Sequence, residues 1–158
     1  KMKILISACL LGIPCRYDGK AKPQPWAEAL AARHDIVPVC PEQLGGLPTP
    51  RTPSERRGDR VVMNTGADVT EQYRRGAEAA LRLCRLTGCE AEEVVRLARL
   101  YGARAAILKE RSPSCGCGEI YDGSFSGTLT AGDGVTAELL RKNGIPVYGE
   151  SHVAALLD

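Results

Sequence analysis

Three short apolar runs, each leading into a loop that carries a cysteine, constrain this chain more than any other feature. Met2 to Ser7, Ile36 to Val39 and Ala105 to Leu108 are short apolar runs that read as strands, the first and third buried and the second with Pro38 near its end. Ser7-Ala8-Cys9 follows the first, Val39-Cys40-Pro41-Glu42 the second, and Lys109 to Gly118, with Cys115 and Cys117, the third. Helical patterns lie between them. Ala27 to Ala32 begins near Pro25, which a first helical turn tolerates. Asp68-Val69-Thr70-Glu71 has the form of an acidic helix start, and Val69, Tyr73, Ala77, Ala80 and Cys84 recur at helical spacing up to a stop at Gly88. Val94 to Tyr101, ended by Gly102, marks another helix, Val135 to Lys142 a further one with Val135, Leu139 and Leu140 on one side, and His152 to Leu157 a closing one. Ile145 to Tyr148 is a fourth strand.

Strands alternating with helices imply a mainly parallel sheet covered on both faces, a single-domain, Rossmann-like three-layer α/β fold over residues 1–158. Lys1 reads as a remnant ahead of a natural start at Met2. Loops that follow parallel strands lie along one sheet edge, where ligands bind at the switch in strand order. Cys9, Cys40 and Cys115 therefore converge there in this reading. The stretch from Cys40 to Asp59, dense in proline and glycine, reads as a structureless binding loop closed by a small hairpin of Val61 to Met63 with Ala67 to Val69. Ile120 to Thr128 reads as a turn or hairpin over the site.

Seven cysteines is an odd number, and a chain of 158 residues buries a core without staples, so the thiols point to metal binding or catalysis rather than a disulfide framework. Three cysteines without a close fourth partner do not match a closed zinc site. Iron-sulfur clusters prefer thiolate, and three ligands to a cubane leave one iron open. Cys15, beside Arg16, stays open as a ligand, a sulfur acceptor or a packed thiol, and Cys117 as an accessory one. Cys84 and Cys89 read as core or incidental, and His34 and His152 lack metal-ligand spacing. A net charge of +2 carries no nucleic-acid footprint, and the arginines from Arg51 to Arg60 read mostly as solvated. With no bilayer-length apolar run and no leader segment, a cytoplasmic setting is expected.

The segments Ser7-Ala8-Cys9-Leu10-Leu11-Gly12 with Cys15-Arg16-Tyr17-Asp18-Gly19, Val39-Cys40-Pro41-Glu42-Gln43-Leu44-Gly45-Gly46-Leu47 with Pro50-Arg51, Lys109 through Ser112-Pro113-Ser114-Cys115-Gly116, and Tyr121 to Gly127 followed by Gly134-Val135-Thr136-Ala137 are long and specific. Together they resemble the 2-thiouracil desulfidase family across essentially the whole chain. The resemblance implies a [4Fe-4S] cluster held by three cysteines, here Cys9, Cys40 and Cys115, and non-redox removal of sulfur from a small-molecule thiolated pyrimidine base, with release of sulfide. It puts the acid/base glutamate at Glu42 and a catalytic serine at Ser112 or Ser114. Glu42 beside a ligand suits a base that takes a proton from water, against the plainer role of a solvated loop acid. Ser112 is taken as the catalytic serine, with Ser114, Lys109, Ser124 and Ser126 on the substrate side and Arg111 as a further cation. Hydroxyls in such loops also satisfy backbone groups and nothing more. Two other classes compete: a metal-free persulfide sulfur transferase using Cys15 or Cys117, and a zinc-binding or nucleic-acid-binding module acting on thiolated tRNA.

Overall fold

The computed structural model describes residues 2–87 and 106–153. Four parallel strands form the central sheet: β1 (Lys3–Ser7), β2 (Asp35–Val39), β5 (Ala106–Leu108) and β8 (Val147–Gly149), in the order β2-β1-β5-β8. Side chains alternate across it as strand geometry requires. Ile4, Ile6 and Ile107 face one way, where Leu30 of α1 (Ala27–Arg33) and Trp26 join them. Leu5, Ala106 and Leu108 face the other, against Ala80, Leu81 and Cys84 of α3 (Thr70–Thr87) and Ala137 and Leu140 of α4 (Val135–Lys142). Ile4, Leu5, Ile6, Ile107 and Leu108 are fully buried, each contributing about 1.5–3 kcal/mol on removal from water. The three-layer parallel α/β architecture expected from the sequence is the one observed.

Within the described residues the expected helices and strands recur with shifted ends. On α3, Tyr73, Ala77, Ala80 and Cys84 are buried, and the Asp68 carboxylate accepts the Thr70 N–H at the helix start. On α4 Leu140 is buried as expected, together with Thr136 and Ala137, while Val135 and Leu139 are half-buried and packed against the core. The expected Gly88 stop, Cys89 and the helix from Val94 to Gly102 lie outside the described residues, as does most of the closing helix. A single 3-10 turn, Glu150–His152, leads up to its first residue, His152.

The stretch from Cys40 to Asp59 departs from expectation. It contains a short helix, α2 (Pro41–Leu44), and a strand, β3 (Ser54–Arg57), antiparallel to β4 (Arg60–Met63). This hairpin turns at Gly58-Asp59, and the expected pairing of Val61–Met63 with Ala67–Val69 is present beside it: Val62 and Asp68 form an antiparallel bridge, the Met63 N–H donates to the Ala67 carbonyl at 2.8 Å and the Val69 N–H to that of Val61 at 2.9 Å. Polar alternation in Ser54-Glu55-Arg56-Arg57 hid the strand, because its inward residue, Glu55, is charged. The second hairpin, β6 (Glu119–Tyr121) with β7 (Leu129–Ala131), matches the expected turn region.

α2 is seated on α3 through two glycines. A Cβ on Gly45 would stand 1.9 Å from the Gln72 carbonyl oxygen, and one on Gly76 would stand 1.9 Å from that of Pro41. Glycine in mid-helix ordinarily costs about 1 kcal/mol relative to alanine. Gly76→Ala is nonetheless expected to destabilise the protein by about 1–3 kcal/mol, since the obstacle is backbone and cannot rotate away. It should also displace α2, whose start carries Cys40 and Glu42. A raised melting temperature with unchanged kcat would contradict this packing.

Candidate metal centre and active site

The carboxyl ends of β1, β2 and β5 meet at one cavity of about 520 Å³, beside the point where the strand order reverses. Each strand delivers a thiol by a different local device. After β1 the chain turns at once into a 3-10 helix, Ala8–Leu11, which carries Cys9. After β2, Cys40 occupies the position before α2, with Pro41 in the first turn. After β5 the chain runs seven residues further to Cys115. There the Ser112 hydroxyl oxygen accepts the N–H groups of Ser114 and Cys115, each at 3.1 Å. The start of α4 clasps this turn, its Val135 and Thr136 amides donating to the Pro113 and Ser114 carbonyls at 2.9 and 2.8 Å. Cys9, Cys40 and Cys115 all line the cavity.

Cys15 lines it too, buried beside both Cys9 and Cys40. Burial pushes the Cys115 thiol up to about 12. Cys40 is raised by its contact with Cys15 and then by burial. Cys15 is lowered by Cys40, but Cys9 and burial outweigh this and raise it. A metal among the thiols would favour the thiolate forms of Cys40 and Cys115, so filling the site would release protons. Among the described residues, no three His, Cys, Asp or Glu side chains gather tightly enough to hold a single metal ion. Thiolate is the ligand iron-sulfur clusters prefer, and a cluster takes each thiolate on a different iron atom, so thiols delivered to one cavity from three separate strand ends fit a cluster.

Glu42 lines the same cavity with both carboxylate oxygens engaged. Oε2 accepts from Arg51 through Nε at 2.9 Å and also through the terminal nitrogen, and Oε1 accepts the Tyr73 hydroxyl at 2.8 Å. The Arg51 side chain is only 3% exposed and also donates to the carbonyls of Cys15 and Pro48 and to the Thr49 hydroxyl. Burial opposes its charge, and Glu42, with Cys40 and Tyr73, outweighs that and raises its pKa. Burial, then the Glu42 charge, pushes the Tyr73 phenol up, so it stays a donor. Arg51 is thus a buried ionic anchor, not the solvated charge expected, and Arg56 likewise is largely buried against Glu138.

The remaining expected site residues divide. Ser112 and Lys109 line the cavity, and so does Arg111. The Lys109 ammonium is paired with Glu150 at 3.1 Å and donates to the Glu110 carbonyl. Ser114 is not brought to the cavity: it is buried with its hydroxyl 3.1 Å from that of Thr136. Ser124 and Ser126 also stay out, exposed and bonded to one another, with Ser124 also on Asp122 and Ser126 on Thr128. Their neighbouring amides are spent as well, those of Gly123 and Phe125 on Glu55 and that of Ser124 on Asp122. The Cys117 thiol points to the Val147 carbonyl at 3.3 Å and does not line the cavity, so no activated thiol supports a persulfide carrier there. Sequence reasoning missed Tyr73, Arg51, Ser7 and Glu55 at the cavity. Tyr73 carried one signal, a hydroxyl on an apolar helix stripe that must find a buried partner.

Among the described residues no helix is long and apolar enough to cross a membrane. A solved structure described as [4Fe-4S]-dependent thiouracil desulfidase TudS is similar to this chain at 49% identity and a TM-score of 0.82, covering 99% of this chain and 95% of that one. The Bacillus subtilis (strain 168) protein YbbK, described as uncharacterized, is 40% identical over 98% of this chain and 99% of its own length. The family described as 2-thiouracil desulfurase matches residues 4–152, a span that takes in every cavity residue named above, and the chain belongs to that family.

Proposed function

We propose that this protein hydrolyses the carbon-sulfur bond of thiolated pyrimidines, converting 2-thiouracil and water to uracil and hydrogen sulfide, with a [4Fe-4S] cluster as cofactor. The observation that carries the reading is the convergence of three thiols, from the ends of three parallel strands, on one cavity shared with a carboxylate held by Arg51 and Tyr73. Cys9, Cys40 and Cys115 would hold the cluster, and the description of the 49% identical structure supports that cofactor. When bound, the cluster supplies a Lewis-acidic iron to the substrate sulfur.

The protein's own groups do the proton chemistry. Glu42 takes a proton from the attacking water and returns it to the departing sulfur side, its carboxylate fixed by Arg51 and Tyr73 so that little reorganisation is needed. The Ser112 hydroxyl oxygen accepts two amides, which leaves its own hydrogen free to donate into the cavity. The reaction exchanges oxygen for sulfur without net redox change, so no electron donor is required. The substrate in this reading is the free base, and the free thiols suit a reducing, cytoplasmic setting.

The test is anaerobic reconstitution with iron and sulfide, quantification of both, and an assay of uracil and sulfide from 2-thiouracil. Uptake of iron with uracil formation is expected. Protein that takes up no iron would overturn the cofactor, and iron-loaded protein that forms no uracil would overturn the substrate.

A further inference from the structure

Glu55 is a charged residue placed where a strand's inward face meets the cavity, and the reaction described above does not use it. It is more than nine-tenths buried and lines the cavity. Its Oε1 accepts the N–H groups of Gly123 and Phe125 at 3.0 and 3.2 Å. Its Oε2 makes no hydrogen bond or ion pair with any described residue. A buried carboxylate oxygen without a donor is costly, and Glu55 is among the residues that line the cavity, where a bound ligand supplies such a donor. The other acids of the cavity are differently placed. Both Glu42 oxygens are occupied, and Glu110, about a quarter exposed, is tied to Ser151 and His152.

The loop that Glu55 grips is held with unusual care. Phe125 sits at φ +57°, a conformation an aromatic residue adopts only under constraint, and it too lines the cavity. Arg57 donates to the Gly123 carbonyl at 2.6 Å and lies 5.8 Å from the Phe125 ring. Gly123 itself has no room for a side chain, since a Cβ would meet Arg57 Cγ at 2.4 Å. The hairpin tip is thereby fastened to β3, with an aromatic ring and a buried acceptor on the same wall.

We propose that Glu55 reads the N–H edge of the substrate ring, its Oε2 accepting a ring N–H adjacent to the thiocarbonyl carbon, with Phe125 on the neighbouring wall. This rests on the desulfuration reading and deepens it: the site selects thiolated rings that carry an N–H beside the carbon-sulfur bond and rejects those alkylated there. A site that accepts a substrate N–H discriminates strongly against the analogue lacking it, because the buried acceptor is then left unpaired.

The experiment compares iron-loaded wild type and Glu55→Gln on 2-thiouracil, 1-methyl-2-thiouracil and 3-methyl-2-thiouracil. For wild type, kcat/KM should fall by at least about 100-fold on one methylated ring. In Glu55→Gln the amide oxygen still accepts the two loop amides, but an NH₂ replaces the free acceptor. The ratio of parent to methylated ring should then collapse to within about threefold. A residue that only fastened the loop would depress all three substrates equally, so an unchanged ratio overturns the proposal. Wild type that processes both methylated rings as well as the parent overturns it without any variant, even if Glu55→Gln fails to fold. Wild type that releases no sulfide from 2-thiouracil is a separate outcome, and it refutes the desulfuration reading itself.

Discussion

Cys115→Ser protein is expected to fold normally and to bind little iron. The turn that presents residue 115 is made by groups other than its thiol. The Ser112 hydroxyl caps it, the Gly116 N–H closes it on the Ser112 carbonyl at 2.9 Å, and the first amides of α4 hold its carbonyls. Serine fits that backbone, and its hydroxyl replaces a thiol that meets the Ser114 hydroxyl in a long contact and also the side chain of Ser7. The stability cost should therefore stay near 1 kcal/mol. Its hydroxyl, however, does not supply the soft thiolate that iron-sulfur clusters prefer. Iron per chain after reconstitution should fall at least about tenfold, more than the loss that follows removal of an outer-shell partner at its mildest. Cys117→Ser is the internal control: its thiol faces the Val147 carbonyl, and iron content should match wild type. Cys15→Ser separates a further possibility, because Cys15 shares the cavity with the three proposed ligands. Full iron in Cys115→Ser together with none in Cys15→Ser would reassign the third ligand.

The strands and the three loop cysteines were legible because short apolar runs mark strands, buried in β1 and β5 and half-exposed in the edge strand β2, and because parallel topology sends the following loops to one edge. That reasoning needs no side-chain geometry, and it brought together Cys9, Cys40, Cys115 and Glu42. It failed where a residue's role depends on what faces it across the fold. Arg51 stands among prolines and other arginines and reads as solvated, yet its guanidinium is buried by the packing of three separate segments. Ser124 and Ser126 look available in a glycine-rich loop, but short-range bonds to Asp122 and Thr128 absorb them, as local hydroxyl bonding does in turns. Ser114 and Ser112 are two residues apart, yet Ser114 is turned into the protein, where its hydroxyl meets that of Thr136 on α4, a neighbour the local sequence does not show. Glu55 broke the strand pattern for the same reason that it interests the chemistry, since an inward acid costs stability unless something in the cavity or the loop above it repays the burial.

The other large effect is expected at Glu42. Glu42→Gln should reconstitute with the iron content of wild type, because residue 42 is not a thiol of the site, and should lose about 10²–10⁴ in kcat as the proton acceptor disappears. The same substitution disturbs stability, and the two effects must be kept apart. Arg51 is left as a buried cation without its carboxylate, a change that costs about 3–5 kcal/mol where nothing else compensates. Here the guanidinium keeps its bonds to Cys15, Pro48 and Thr49, so a cost of about 1–3 kcal/mol is expected. Against a total of about 5–15 kcal/mol that leaves nearly every molecule folded at 25 °C, so unfolding cannot account for a hundredfold loss. Tyr73→Phe supplies the calibration. It keeps the carboxylate and removes one hydrogen bond from Oε1, and a loss nearer tenfold is expected. If Glu42→Gln turned over 2-thiouracil no worse than Tyr73→Phe, the carboxylate would be an anchor for Arg51 rather than the base, and the proton acceptor would have to be sought elsewhere in the cavity.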